Sequence, residues 1–309
     1  MRILLYRGDG EIGHWAEDLA RAIPSVQTLG WQGGDTLGPC DYAVLWNPAP
    51  SLLPQLAHVK AVFLMGAGAD AILKFGDALP EVPIVRLGDA GMAVQMAEYV
   101  AYATLRYFRR FHEYEEQARH GLWAPLPVYA REEFTIGVMG LGKLGLRVVE
   151  TMRSFGFPVR GWSRTPKAIP GVDCFAGMQA LDAFLKGTRV LVSLLPLTAE
   201  THNLLDRRRL SLLPKGAYLI NVARGAQLAE PDLLTLIRAG HIAGATLDVF
   251  RNEPLPAPHP FWEEPRITIT PHISAVTLRV DAVRQIAQKI AAFEANEPVD
   301  DIVDRNLGY

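Results

Sequence analysis

Short apolar runs ending in Gly, Pro or Asn alternate along this chain with longer stretches in which apolar residues return every three or four positions. Runs of the first kind suit buried strands and stretches of the second suit amphipathic helices, so the alternation predicts parallel β-α-β units and an α/β protein. Two series of strands are expected, first at 2–7, 26–29, 43–46, 61–65 and 84–87, then at 134–139, 159–162, 190–194, 218–222, 245–249 and 266–270. Between them Met96, Tyr99, Val100, Ala103, Tyr107 and Phe111 recur at helical spacing, which predicts one long helix over 92–118 linking two domains. Another long helix is expected over 275–296, returning the chain to the first domain ahead of an acidic, polar end with no strand pattern. The expected division is 1–97 with 283–309, and 98–282.

The length of 309 residues agrees with two domains, and 49% hydrophobic against 21% charged residues is ordinary globular usage. Lys and Arg total 31 against 33 Asp and Glu, a formal net charge of −2, so no overall basic field is available to hold a nucleic acid and any anion must be held locally. The two cysteines, Cys40 and Cys174, form neither a CxxC pair nor part of a Cys/His cluster; no metal site is expected, and a reducing compartment fits. The apolar stretch near the N-terminus is interrupted by Arg7 and Asp9, too early for a signal-peptide core, and no run is long enough to span a bilayer. A cytoplasmic protein without a membrane partner is the expectation.

The strand expected at 134–139 runs into Gly140-Leu141-Gly142-Lys143-Leu144-Gly145, followed by helical periodicity to Phe155. Strand, glycine turn and helix in that order predict a dinucleotide site. The first glycine permits the turn and the second lets backbone approach a pyrophosphate. The third allows close packing, while the helix N-terminus offers N–H groups and partial positive charge. Lys143 and Leu144 are expected to face the cofactor with the three glycines. A free ribose 2′-hydroxyl would call for Asp or Glu at the end of the next strand, but Ser163-Arg164-Thr165 stands there, and no acidic residue occurs from Thr151 through Val172. A 2′-phosphate is the better fit, so NADPH is expected to be preferred and NADH to bind more weakly; the competing reading is a solvated basic loop. A second glycine run, Gly66-Ala67-Gly68, is read either as a backbone nest for a small carboxylate or as a plain turn.

Further chemistry gathers just past strand ends, where open α/β sheets place their ligands. Asn221-Val222-Ala223-Arg224-Gly225 follows one strand, Asp248 ends the next, Asn252-Glu253-Pro254 comes shortly after, and Thr270-Pro271-His272 follows the last. An imidazole oriented and charged by a carboxylate can protonate an oxygen that turns negative as hydride reaches its carbon, which assigns His272 as acid/base and Glu253 as its partner. Arg224 supplies paired N–H donors for a substrate carboxylate. Taken singly, each has a plainer role open to it: Arg224 as a surface cation, Glu253 as a solvated loop residue, His272 as a helix cap. Asp248 is either a ribose or nicotinamide contact or a strand-end cap. The other seven histidines have no comparable placement.

The glycine loop, Asn-Val-Ala-Arg-Gly at 221–225, Leu-Asp-Val-Phe at 247–250, Asn-Glu-Pro at 252–254 and Thr-Pro-His at 270–272, in this order, resemble the D-isomer-specific 2-hydroxyacid dehydrogenases. Phe-Thr-Ile-Gly at 134–137, Gly-Trp-Ser-Arg-Thr at 161–165 and Gly-Ala-Tyr-Leu-Ile-Asn at 216–221 are similar to the branch of that family that reduces glyoxylate and hydroxypyruvate. The resemblance implies two Rossmann- or flavodoxin-like doubly wound domains around a cleft, with 1–97 and 283–309 binding substrate and 98–282 binding the dinucleotide. It implies a catalytic set of Arg224, Glu253 and His272, with Leu195, Pro196, Thr198, Val222 and Ala223 beside the cofactor. Met65, Gly66, Ala67 and Gly68 would meet the substrate carboxylate, with Trp46 near the pocket and Arg224 and His272 touching the substrate. A homodimer is implied, for which an arm carrying Trp123 offers a partner surface; the plainer reading of a lone Trp in a Pro-rich loop is packing on its own domain. The implied reaction is NADPH-dependent reduction of glyoxylate to glycolate or of hydroxypyruvate to D-glycerate. The alternatives are a reductase of a larger 2-oxo acid and a nucleotide-sensing protein that has lost turnover.

Overall fold

The computed structural model describes residues 1–309 and divides them into two compact units, Met1–Met92 with Thr277–Tyr309, and Ala93–Val276. Both crossings fall earlier in the chain than the helix pattern places them. The first lies at the start of the helix Met92–Phe108 and the second just ahead of the helix Arg279–Glu294.

Five strands build the first unit's sheet: β1 (Arg2–Arg7), β2 (Gln27–Leu29), β3 (Tyr42–Trp46), β4 (Ala61–Leu64) and β5 (Ile84–Val85). All pair in parallel in the order β2-β1-β3-β4-β5, the flavodoxin-like doubly wound order. Leu4, Ala43, Leu45, Val62 and Leu64 share one buried cluster, and Arg279 at the start of the last helix reaches the buried Asp18 of the first helix, Nε to Oδ2 at 2.7 Å. To the sheet the polar end adds only an isolated antiparallel bridge, Val85 to Ile302, while Val303 joins the buried cluster.

Seven strands build the second: β6 (Ile136–Met139), β7 (Val159–Ser163), β8 (Asp173–Ala176), β9 (Val190–Ser193), β10 (Ala217–Asn221), β11 (Ile242–Leu247) and β12 (Ile267–Ile269). They run parallel in the order β12-β11-β10-β9-β6-β7-β8, so the winding reverses between β6 and β9. Such a reversal opens a crevice at the carboxyl ends of the strands. Both faces of the sheet are covered. On β9, Val190 and Val192 join the cluster with Met96, Val100 and Tyr107 of the helix Met92–Phe108, while Leu191 between them joins the opposite cluster with Phe184, Leu219 and Ile237. Burial on both sides is why these strands read as unbroken apolar runs.

Two expectations are corrected. The second sheet has seven strands, not six, because β8 is an edge strand: Asp173 is exposed, Cys174, Phe175 and Ala176 are only half-buried, and its four residues carry no apolar run. The helix expected over 92–118 is two helices, Met92–Phe108 and Phe111–Arg119. The break lies at Arg110, which takes the left-handed conformation at φ 59°, with Nε and Nη2 each 2.7 Å from Glu113 and Nη1 donating to the Pro127 carbonyl. No Gly or Pro marks the spot, and the apolar spacing runs on through Phe111, so the pattern conceals the turn.

Candidate active site

At the switch point the glycine turn has the shape a pyrophosphate needs. Gly140 sits at φ 102°, donates its N–H to the Trp162 carbonyl at 2.8 Å, and a Cβ on it would stand 2.7 Å from the Leu194 oxygen, so only glycine fits. A Cβ on Gly145 would overlap the Gly140 carbonyl oxygen; this glycine lets the helix Lys143–Ser154 seat against the turn. Gly142, the N-cap, has nothing near its would-be Cβ and leaves its backbone open to a ligand. Lys143 is exposed in the first turn, which holds no acidic residue, and Leu144 is half-buried. Tight, open, tight is the order a dinucleotide loop requires.

The neighbouring strand β7 delivers Ser163, which is buried, and the exposed Arg164 and Thr165. Ser163 Oγ donates to the Thr165 carbonyl at 2.7 Å, so its proton is spent on fixing the turn that presents Arg164. From β9 come Leu195, buried, with Pro196 and Thr198 half-buried. They are tied to the next loop by Gln227, a fully buried side chain that no motif marks: Nε2 donates to the carbonyls of Leu195 and Pro196 at 2.8 and 2.9 Å, and Oε1 accepts from Ser193. Asn221, also fully buried, turns the chain after β10 by accepting from the Ala223 N–H and donating to the Arg224 carbonyl. Val222 and Ala223 are buried beside it.

Arg224, half-buried, is anchored by Nη1 donating to the Ala223 carbonyl at 2.7 Å. The following Gly225 presses directly on the Phe250 backbone, where any Cβ would overlap, and this contact brings the loop after β10 against the loop after β11. Glu253 in that second loop accepts the Phe250 N–H at 2.9 Å on Oε1 and faces His272 Nδ1 at 2.8 Å on Oε2. The hydrogen bond that the imidazole donates to Glu253 raises its pKa above the usual range, outweighing partial burial, with the charges of Glu253 and Asp248 adding to the rise and that of Arg224 opposing it. Burial pushes the Glu253 carboxyl up, but His272, the Phe250 N–H and the charge of Arg224 together hold it below its usual range. Arg224, Glu253 and His272 therefore share one electrostatic neighbourhood, the juxtaposition the sequence predicts.

Asp248, fully buried at the end of β11, has the geometry of a cap. Its carboxylate accepts Thr270 Oγ1 at 2.6 Å and the N–H groups of Ile273 and Ser274 at 2.8 Å each, and its backbone carbonyl accepts the His272 N–H. The loop carrying His272 is wrapped around this one residue.

In the first unit, Trp46 ends β3 and Met65–Gly68 follow the adjacent β4. A Cβ on Gly66 would stand 2.8 Å from Trp46 Cζ3, and neither Gly66 nor Gly68 takes positive φ, so close approach and not handedness is why Gly66 is a glycine. Met65 is buried, Ala67 half-buried, and Gly68 and Trp46 are exposed.

Residues 101–274 match the family model described as D-isomer specific 2-hydroxyacid dehydrogenase, NAD binding domain. The chain belongs to this family. Glyoxylate/hydroxypyruvate reductase A of Yersinia enterocolitica is 47% identical over the full length of both chains. Among solved dehydrogenases of the family, that of Xanthobacter autotrophicus Py2 in complex with NADPH and MES superposes with a TM-score of 0.94 at 40% identity, covering 100% of this chain and 99% of its own. The NADPH-dependent glyoxylate/hydroxypyruvate reductase of Sinorhizobium meliloti in complex with NADP and sulfate gives 0.92 at 34% identity over 100% and 99%. The matched region is thus the NAD(P)-binding domain of a 2-hydroxyacid dehydrogenase. No helix is long and apolar enough to cross a membrane.

Proposed function

We propose that the protein reduces small 2-oxo acids, glyoxylate and hydroxypyruvate, with NADPH preferred over NADH. The observation that carries this reading is the His272–Glu253 pair at 2.8 Å within the electrostatic reach of Arg224, beside a dinucleotide turn whose neighbouring strand ends in Ser-Arg-Thr and not in an acid. The open backbone at Gly142 and the cationic first turn suit the pyrophosphate, and Arg164 suits a 2′-phosphate through bidentate donors. When bound, the nicotinamide supplies the hydride. Arg224 holds the substrate carboxylate and leans its positive charge toward the neighbouring carbonyl. Glu253 keeps His272 protonated through Nδ1 and so orients Nε2, which gives its proton to the carbonyl oxygen as negative charge builds there. Leu195 and Pro196, fastened by Gln227, wall the nicotinamide side. Met65 through Gly68 and Trp46 form the substrate-binding surface of the first unit, with the exposed Gly68 and Trp46 at its open face.

The names of the relatives support glyoxylate and hydroxypyruvate as substrates, and the intact Arg, Glu and His set favours an enzyme over a sensor, which has no use for an acid/base pair. The small-molecule partner is accordingly a 2-oxo acid. A second copy of the chain is the proposed protein partner, seated on the arm where Trp123 is 96% exposed. A spectrophotometric assay of NADPH loss with glyoxylate, hydroxypyruvate and pyruvate tests the substrate class, and rates ordered with pyruvate first overturn the named substrates. His272→Asn should lower turnover about 10²–10⁴-fold while leaving NADPH binding intact; wild-type turnover in that variant overturns the mechanism.

A further inference from the structure

We propose that Tyr99 is a positioning residue for His272: one face of the helix Met92–Phe108 grips the loop that carries the imidazole on both sides, through Tyr99 before it and Gln95 after it. The inference rests on the reading of His272 as the proton donor. Gln95 and Tyr99 are four residues apart and so lie one above the other on the same face. Gln95 donates Nε2 to the Val276 carbonyl at 2.9 Å and accepts the Val276 N–H at 3.2 Å on Oε1, pairing with the backbone as a strand would. The Tyr99 hydroxyl meets Thr270 Oγ1 at 2.5 Å, and Thr270 Oγ1 meets Asp248 Oδ1 at 2.6 Å.

The direction of this chain follows from proton counting. Thr270 has a single hydroxyl proton, and the Asp248 carboxylate already takes two backbone N–H groups. Thr270 therefore donates to Asp248 and accepts from Tyr99. Burial pushes the Tyr99 phenol up to about 12, so it remains a donor across the working pH range.

The loop needs this support. His272 sits at φ 57°, left-handed backbone that a residue with a Cβ adopts only where its surroundings impose it. The imposing bonds are those Asp248 makes to His272, Ile273 and Ser274. The helix that supplies the grip does not give way, because Met96, Ala97, Val100 and Tyr107 root it in the core of the second unit. The charged groups facing the imidazole are Glu253, Asp248 and Arg224, and the first two hold the proton on it. A loosened loop carries His272 away from both carboxylates.

The test compares Tyr99→Phe, Thr270→Val and Thr270→Ser. Tyr99→Phe should lower kcat about twofold to tenfold with an unchanged NADPH Kd, and the pH at which reduction falls off should move lower. Thr270→Val should lose more, and Thr270→Ser should recover most of that loss. The same variants are followed by NMR titration of the His272 imidazole in the enzyme without substrate, with the resonance assigned by its absence in His272→Asn. A lower midpoint in Tyr99→Phe supports the proposal. A wild-type kcat and midpoint in that variant overturn it, as does Thr270→Ser performing no better than Thr270→Val. If the wild-type enzyme turns over none of the 2-oxo acids, the proposed function fails, and the NMR midpoints still decide the role of Tyr99.

Discussion

The charge on His272 belongs to its neighbours more than to the imidazole itself. Glu253 is the largest cause of its raised pKa, so Glu253→Gln should move the falling limb of the pH–rate profile for reduction toward lower pH. The sign follows from the proposed role of the protonated imidazole as the acid in reduction: activity is full below its pKa and is lost as pH rises through it. A kcat/KM profile on NADPH and glyoxylate reads the shift, and an unmoved limb would remove Glu253 from the role. Arg164 is the residue proposed to read the 2′-phosphate of the cofactor. Arg164→Leu should weaken NADPH by about 10- to 150-fold, the worth of a hydrogen-bonded charge pair, and leave NADH nearly untouched, as fluorescence titration of both cofactors would show. Arg224, Glu253 and His272 were legible in the sequence because a charge just past an apolar run is chemically conspicuous. Gln227 was not, because its work consists of bonds to backbone carbonyls that no spacing announces. Asp248 was half-legible: its place at a strand end was plain, and its choice between cofactor and cap depended on donors from 270–274 that only folding brings to it.

Loops after successive strands have to touch before three side chains can act together, and Gly225 is where two of them do. Gly225→Ala would force a methyl into the Phe250 backbone. We expect a destabilisation of about 1–3 kcal/mol by thermal unfolding, together with a loss of kcat as Arg224 is displaced from Glu253. A wild-type melting temperature with wild-type kcat would show that the two loops are independent. The elements themselves are legible where both faces are buried, since β1, β3, β4, β9 and β10 are runs of apolar residues between clear turn signals. The pattern is silent where burial is one-sided or a break is made by a side chain: β8 lies at an edge, and Arg110 turns the chain by its own bonds to Glu113 and Pro127.

Two independently cored units, each with its own doubly wound sheet, account for the whole chain, and their pattern was visible as two series of strands separated by helix. What they leave uncovered is the arm 122–128, where Trp123 and Val128 are 96% and 88% exposed. For the dimer proposed to form through this arm, replacing Trp123 with Ser should weaken association by about 30- to 1,000-fold, as sedimentation across a concentration series would reveal, and a monomeric parent protein or an unchanged association constant in the variant would overturn that surface. The order of strands in the second sheet has a further consequence. Arg164 follows β7 and His272 follows β12, five strand spacings apart, or about 24 Å. That exceeds two Debye lengths at about 0.1 M salt, so a charge altered at the exposed Arg164 is largely screened from the loop of His272. With the roles proposed for Arg164 and His272, the sheet works as an insulating ruler: coenzyme choice and proton supply can be retuned separately, and a variant converted to NADH should keep the acid–base profile of its parent.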